Sequence, residues 1–133
     1  MTREPLRALS AGPAWDLVVL FDRDPTTLRA NRTRTLELFS TCRQRMAPDG
    51  VLVVRTGVGD TYLGGGGGRL LEVLVSTLRA VFPEVAAIPG EGVLLVAGGE
   101  SADLTVDPGR VGDRWQQRGV VDPLFTPELL PLL

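Results

Sequence analysis

Two carboxylates, Asp22 and Asp24, close an apolar run and precede Pro25. Paired carboxylates at the end of a buried strand can take a proton from an amine and hold its cationic form. Strand ends are also where open α/β sheets receive their ligands. The same spacing equally suits a strand-end turn followed by a helix N-cap, because Asp before Pro is a common helix start. Other chemistry is scarce. The 133 residues include no histidine, which removes the usual general base at neutral pH, Ser-His-Asp triads and the commonest metal ligand. The single cysteine, Cys42, permits no internal disulfide and no thiolate zinc cluster. With no histidine to activate it, Cys42 reads as a small buried hydrophobe, and no metal site is expected. The run Gly64 to Gly68 could wrap an anion at a helix start. It lacks the Gly-Lys-Ser/Thr ending of a phosphate loop and the spaced dinucleotide fingerprint, so a flexible loop is the plainer expectation. Tyr62 beside it would cover a ligand or pack on the sheet edge.

The elements that must position these residues follow from apolar patterning. Leu17 to Phe21 is a continuous apolar run, which predicts a strand buried on both faces. Leu28, Leu36, Leu38, Phe39, Cys42 and Met46 fall at roughly helical spacing, with a stop at Pro48-Asp49-Gly50. Arg29, Arg32, Arg34, Arg43 and Arg45 make that helix basic, with a solvated face or an acidic partner surface as the alternatives. Val51 to Val54 predicts a second buried strand and Leu70 to Phe82 an amphipathic helix ended by Pro83. Val85 to Ile88 and Val93 to Ala97 flank Pro89-Gly90-Glu91-Gly92, as an antiparallel hairpin would. Val111 to Arg118 predicts a short helix with Gly119 as C-cap. Trp115 and the apolar tail Pro127 to Leu133 are expected to cover a sheet face or join a dimer interface.

Strands alternating with helices predict an α/β domain with a mainly parallel sheet of about four strands and flanking helices. Such a sheet is small, and no helix precedes its first strand. A missing portion on the N-terminal side is therefore expected. Hydrophobic residues are 44% and charged residues 23% of the chain, the balance of a folded domain. A net charge of −2 gives no basic surface for nucleic acid. No apolar run approaches membrane-spanning length, and Pro5 and Pro13 break the N-terminal stretch, so a cytoplasmic protein with no membrane segment is expected.

The pattern Trp15-Asp16-Leu17-Val18-Val19-Leu20-Phe21-Asp22-Arg23-Asp24-Pro25 resembles the fourth-strand motif of the spermidine synthase family, the polyamine aminopropyltransferases. That motif is an aromatic residue, Asp, four apolar residues, a catalytic Asp, two variable residues and Asp-Pro. Asn31 to Arg45, with Met46-Ala47-Pro48-Asp49-Gly50 and Val51 to Val54, is similar to the helix, turn and strand that follow it. Thr77 to Pro83 with Val85 is similar to the next helix end. Asp24 to Thr27, Tyr62 to Gly64 and Ile88 to Gly90 resemble segments of bacterial spermidine synthase-like domains, which are often fused to membrane segments. The likeness spans Trp15 to Asp107.

The resemblance implies the C-terminal half of a Rossmann-like sheet of the class I methyltransferase type. It implies an ancestral transfer of an aminopropyl group from decarboxylated S-adenosylmethionine, as co-substrate, to an amine such as putrescine. The half that would grip the nucleoside has no counterpart here, so no cofactor is expected in this chain alone. Arg3 to Leu9 resemble the end of the segment leading into the fourth strand, without the acidic adenine contact that precedes it. Alignment on Asp24-Pro25 puts Phe21 where the catalytic Asp belongs, with Asp22 one residue later. Leu28 stands in place of a proline beside the adenine, and the Pro-Thr-Tyr-Pro segment of the polyamine pocket is absent. Asp22 and Asp24 remain the candidate amine contacts. The expectation is a degenerate or incomplete domain, not catalytic alone. The alternatives are an aminopropyltransferase or S-adenosylmethionine-dependent methyltransferase completed by an N-terminal half, and a self-associating structural or binding module that forms a homodimer.

Overall fold

The computed structural model describes residues 14–21, 30–58, 66–90 and 92–122. In chain order these form β1 (Trp15–Leu20), a 3-10 turn (Ala30–Thr33), α1 (Leu36–Arg45), β2 (Met46–Arg55), α2 (Gly66–Arg79), β3 (Glu84–Ile88), β4 (Leu94–Gly98) and α3 (Pro108–Gln117). The domain is α/β, with one four-stranded sheet in the order β1-β2-β4-β3.

The sheet is mixed, which corrects the expectation of a mainly parallel one. β1 pairs with β2 in parallel, whereas β4 is antiparallel to both β2 and β3. The cause is the five-residue link between Ile88 and Leu94. It is too short for a crossover and returns the chain antiparallel, as the Pro-Gly-rich hairpin reading anticipated. β4 then enters between β2 and β3. β1, β2 and β3 still run in one direction, as the two helical crossovers require.

α1 starts at Thr35, whose hydroxyl accepts from the Leu38 N–H at 3.3 Å. Its own backbone N–H and the Thr35 hydroxyl hold the Glu37 carboxyl below its ordinary value. The helix was expected to reach Met46. It ends at Arg45, and Met46 already has extended backbone. Ala47 precedes Pro48, which disfavours helical backbone there, so Pro48 and Gly50 lie within β2 and not in a turn. A Cβ on Gly50 would lie 2.8 Å from the Trp15 carbonyl oxygen. Glycine permits that close approach where the β1–β2 register slips between Trp15 and Leu17.

α2 begins earlier than the patterning indicated. Gly66, Gly67 and Gly68 form its first turn, so part of the glycine run is helix, not loop. It ends at Arg79, and Phe82 closes the core after a turn in which its N–H donates to Leu78 at 2.8 Å. α3 begins at Pro108, ahead of the expected start at Val111, because a cap at Asp107 extends it N-terminally, and Gly119 follows its C-terminal end as expected. Asp107 accepts from the Arg110 N–H at 2.8 Å, Pro108 opens the helix, and Gly119 adopts φ +60. Asp103 receives Arg110 at 3.1 Å and also Arg114.

Both long helices pack on one face of the sheet. Leu38, Phe39 and Cys42 of α1 and Leu74 and Leu78 of α2 join Phe82 against Val18, Leu52, Val54, Leu95 and Ala97. The strand residues share that face by register, Val18 with Leu52, Leu52 with Ala97 and Val54 with Leu95. The expectation that β1 is buried on both faces is therefore corrected. Val18 is buried, but Leu17 and Val19 are exposed because neither helix reaches their side. Among the described residues, no helix is long and apolar enough to cross a membrane.

Cys42 lies on the inner side of α1 with no exposed surface. Burial pushes its thiol up to about 11, because a thiolate loses hydration there. Native protein at pH 8 is expected to react with a soluble disulfide reagent at least about a hundredfold slower than protein unfolded in denaturant. Thiol release followed by absorbance checks this; equal rates would contradict the burial.

Candidate functional site

β1 and β2 end side by side, and the residues that leave them form the rim where an α/β sheet presents ligand contacts. Phe21 follows β1 directly and is 66% exposed. Arg55 closes β2, and its guanidinium carbon lies 5.9 Å from the centre of the Phe21 ring, within cation–π range. Beneath it, Arg34 is buried and donates from Nη2 to the Arg55 carbonyl oxygen at 3.1 Å. Thr56 is also buried. Its N–H donates to the Val93 carbonyl at 2.9 Å and its hydroxyl to the same oxygen at 3.1 Å. Val93 in turn donates to Val58 at 3.0 Å. The chain thus stays paired past the formal end of β2, which fixes Arg55 and the backbone below it.

Gly92 makes this pairing possible. A Cβ there would lie 2.3 Å from the Thr56 carbonyl oxygen, a separation no side chain tolerates. A second close approach sits at the opposite end of the sheet, where Arg43 packs over Gly99 beside the Pro48 carbonyl.

The sequence candidates distribute unevenly over this site. Asp22 and Asp24 lie outside the described residues, as do Leu28, Arg29, Tyr62, Gly64 and the tail Pro127 to Leu133. Phe21 is in the rim. Two rim residues escaped the sequence reading, Arg55 and Thr56, and a third, Arg34, is placed differently from its expectation. Arg34 was grouped with a basic, solvated face, and its burial corrects that. It precedes the Thr35 cap and so leaves the helical spacing on which the grouping rested. Nothing in the local pattern marks it, because its partner is 21 residues away. Arg32 is exposed as expected, whereas Arg43 and Arg45 are half-buried.

The described rim therefore offers an aromatic ring and the exposed guanidinium of Arg55, above the buried Arg34. This arrangement can stack a planar group or attract an anion. It supplies no carboxylate base from the described residues, and Arg55 repels an approaching ammonium. Elsewhere, a depression of about 480 Å³ on the outer side of α2 is lined by Leu71, Glu72, Ser76 and Arg79 among others. Its hydroxyl has no histidine to activate it. Among the described residues, no three Cys, Asp or Glu side chains come together as a metal site would require. No protein-family model matches the chain, and no curated protein matches it significantly.

Proposed function

We propose that this chain is a spermidine synthase-like half-domain that no longer catalyses aminopropyl transfer by itself. The observation that carries this reading is Phe21. It occupies the strand-end position to which the resemblance assigns the catalytic carboxylate, and Arg55 lies over its ring at 5.9 Å. An aminopropyl acceptor must lose a proton as its nitrogen attacks the carbon beside the sulfonium, and a cationic amine must be held beforehand. A phenyl ring capped by a guanidinium does neither. The order β1-α1-β2, then α2 and the β3–β4 hairpin, supports the family comparison at the level of topology, which is a weaker warrant than a site.

The test is aminopropyl transfer from decarboxylated S-adenosylmethionine to putrescine, read by product mass, beside calorimetric titration with methylthioadenosine and spermidine. No transfer and no methylthioadenosine binding at millimolar concentration are expected. Phe21→Asp is expected to strengthen spermidine binding by about 2- to 5-fold, the scale of an exposed charge pair. Transfer by the unaltered chain would overturn the reading.

One observation favours a second reading, a transferase or methyltransferase completed by an N-terminal half. Among the described residues, β1 is paired along one edge only, so a neighbouring sheet can continue from it. The intact mass of the protein from its source cells separates the two. A mass near 14.3 kDa supports the half-domain, and a mass larger by another half-domain supports completion.

A further inference from the structure

α3 follows Asp107, where the family likeness ends, and its own sequence makes a poor helix. Its 10 residues include Gly109 and Gly112, and glycine disfavours helix relative to alanine. A helix this short is marginal in water unless packing supports it. Packing supports α1 through the buried Leu38, Phe39 and Cys42, and α2 through the buried Leu74 and Leu78. No residue of α3 is buried, and Val111 and Trp115, about one turn apart, are half-buried.

Charge staples its turns together. Arg110 and Arg114 stand at i and i+4, so their guanidinium groups share one side of the helix and repel. Asp103 meets both from outside the helix. Its carboxylate receives Arg110 at Oδ1, 3.1 Å away, and Arg114 at Oδ2, and its carbonyl oxygen accepts from Arg114 Nη1 at 2.7 Å. One carboxylate thus converts a repelling pair into a clamp. Asp103 follows directly on Ala102, which is buried and lies against Gly98 at the end of β4. The clamp is therefore anchored at the sheet on one side and grips α3 on the other.

We propose that α3 is a salt-sensitive conformational switch, which opens while the sheet stays folded and which Asp103 latches closed. The Asp103 and Arg110 side chains are 64% and 60% exposed, and ion pairs so exposed weaken as salt rises. Opening loosens the half-buried contacts of Val111 and Trp115 without unfolding the core, as local units of low stability do. The inference rests on α3 and its clamp and not on the family reading.

Amide hydrogen exchange on the full chain at pH 7, followed by NMR, tests it. Val111, whose N–H donates to the Asp107 carbonyl at 3.0 Å, and Arg118, whose N–H donates to the Arg114 carbonyl at 3.0 Å, report on α3. Leu95 and Ala97, buried in β4, report on the sheet. At low salt the α3 amides are expected to be at least about tenfold less protected than the β4 amides. Raising salt from about 0.05 M to about 1 M should widen that ratio about 2- to 5-fold. Asp103→Asn should widen it about 3- to 10-fold at low salt. It should also remove the widening with salt, because salt then screens only the repulsion between Arg110 and Arg114. Asp113→Asn removes the same charge from an exposed position of α3 outside the clamp and should keep the salt response of the unaltered chain. The β4 amides show whether each variant folds, and if Asp103→Asn does not, the salt series on the unaltered chain decides. Protection of α3 equal to that of β4 overturns the proposal. So does a ratio that does not change with salt in the unaltered chain, or a folded Asp103→Asn variant that keeps both the ratio and its salt response.

Discussion

Phe39→Ala is expected to lower folding stability by about 3–5 kcal/mol, the range for truncating a fully buried phenylalanine. Phe39 has no exposed surface and stands in the cluster that joins α1, α2 and the sheet. Its removal forfeits the transfer free energy of a phenyl ring. It also opens a cavity whose walls belong to three different elements, and such walls cannot close without moving both helices. Small domains have total stabilities of about 5–15 kcal/mol, so the loss is a large share of what holds this one together. Urea unfolding followed by circular dichroism measures it, with a lowered midpoint and an unchanged slope as the expected signature. A loss below about 1 kcal/mol would mean that α1 is not packed as described.

Gly92→Ala carries the second large effect, about 2–3 kcal/mol, the scale of forcing an atom into a filled space. The added methyl would lie 2.3 Å from the Thr56 carbonyl oxygen. That oxygen belongs to backbone, which cannot swing aside as a flexible side chain can. Relief requires the Val93 segment to withdraw from Thr56, which breaks the N–H donation at 2.9 Å and the hydroxyl donation at 3.1 Å. The damage should therefore concentrate at the strand-end rim. Amide exchange at Thr56 and Val93 is expected to accelerate more than amide exchange in α1. Gly90→Ala serves as the control, because its added methyl meets nothing closer than 3.6 Å. Equal losses from the two substitutions would contradict this account of the rim.

Local chemistry determined much of this protein from sequence alone. Pro89, Gly90 and Gly92 between two short apolar runs specify a hairpin. Gly119 specifies the C-terminal end of α3, whereas its start at Pro108 lies ahead of the expected Val111. Cys42, on the apolar side of α1 in a chain without histidine, is the buried small hydrophobe its position indicates. Each of these depends on residues within a few positions of one another.

Tertiary structure decided what depends on distant residues. Leu17-Val18-Val19-Leu20 has no polar alternation, so its pattern cannot separate burial on one face from burial on two. The answer came from α1 and α2 sharing a face, a matter of how two helices separated by β2 and a long connection settle on the sheet. The insertion of β4 between β2 and β3 is likewise a choice among sheet edges that hairpin chemistry leaves open. Arg34 became a buried rim residue because its acceptor is the Arg55 carbonyl. Short-range signals arise from backbone geometry and capping, which a few residues control. Pairing order, the covered face and long-range hydrogen bonds arise from burying the most apolar surface at once, which only the folded chain resolves.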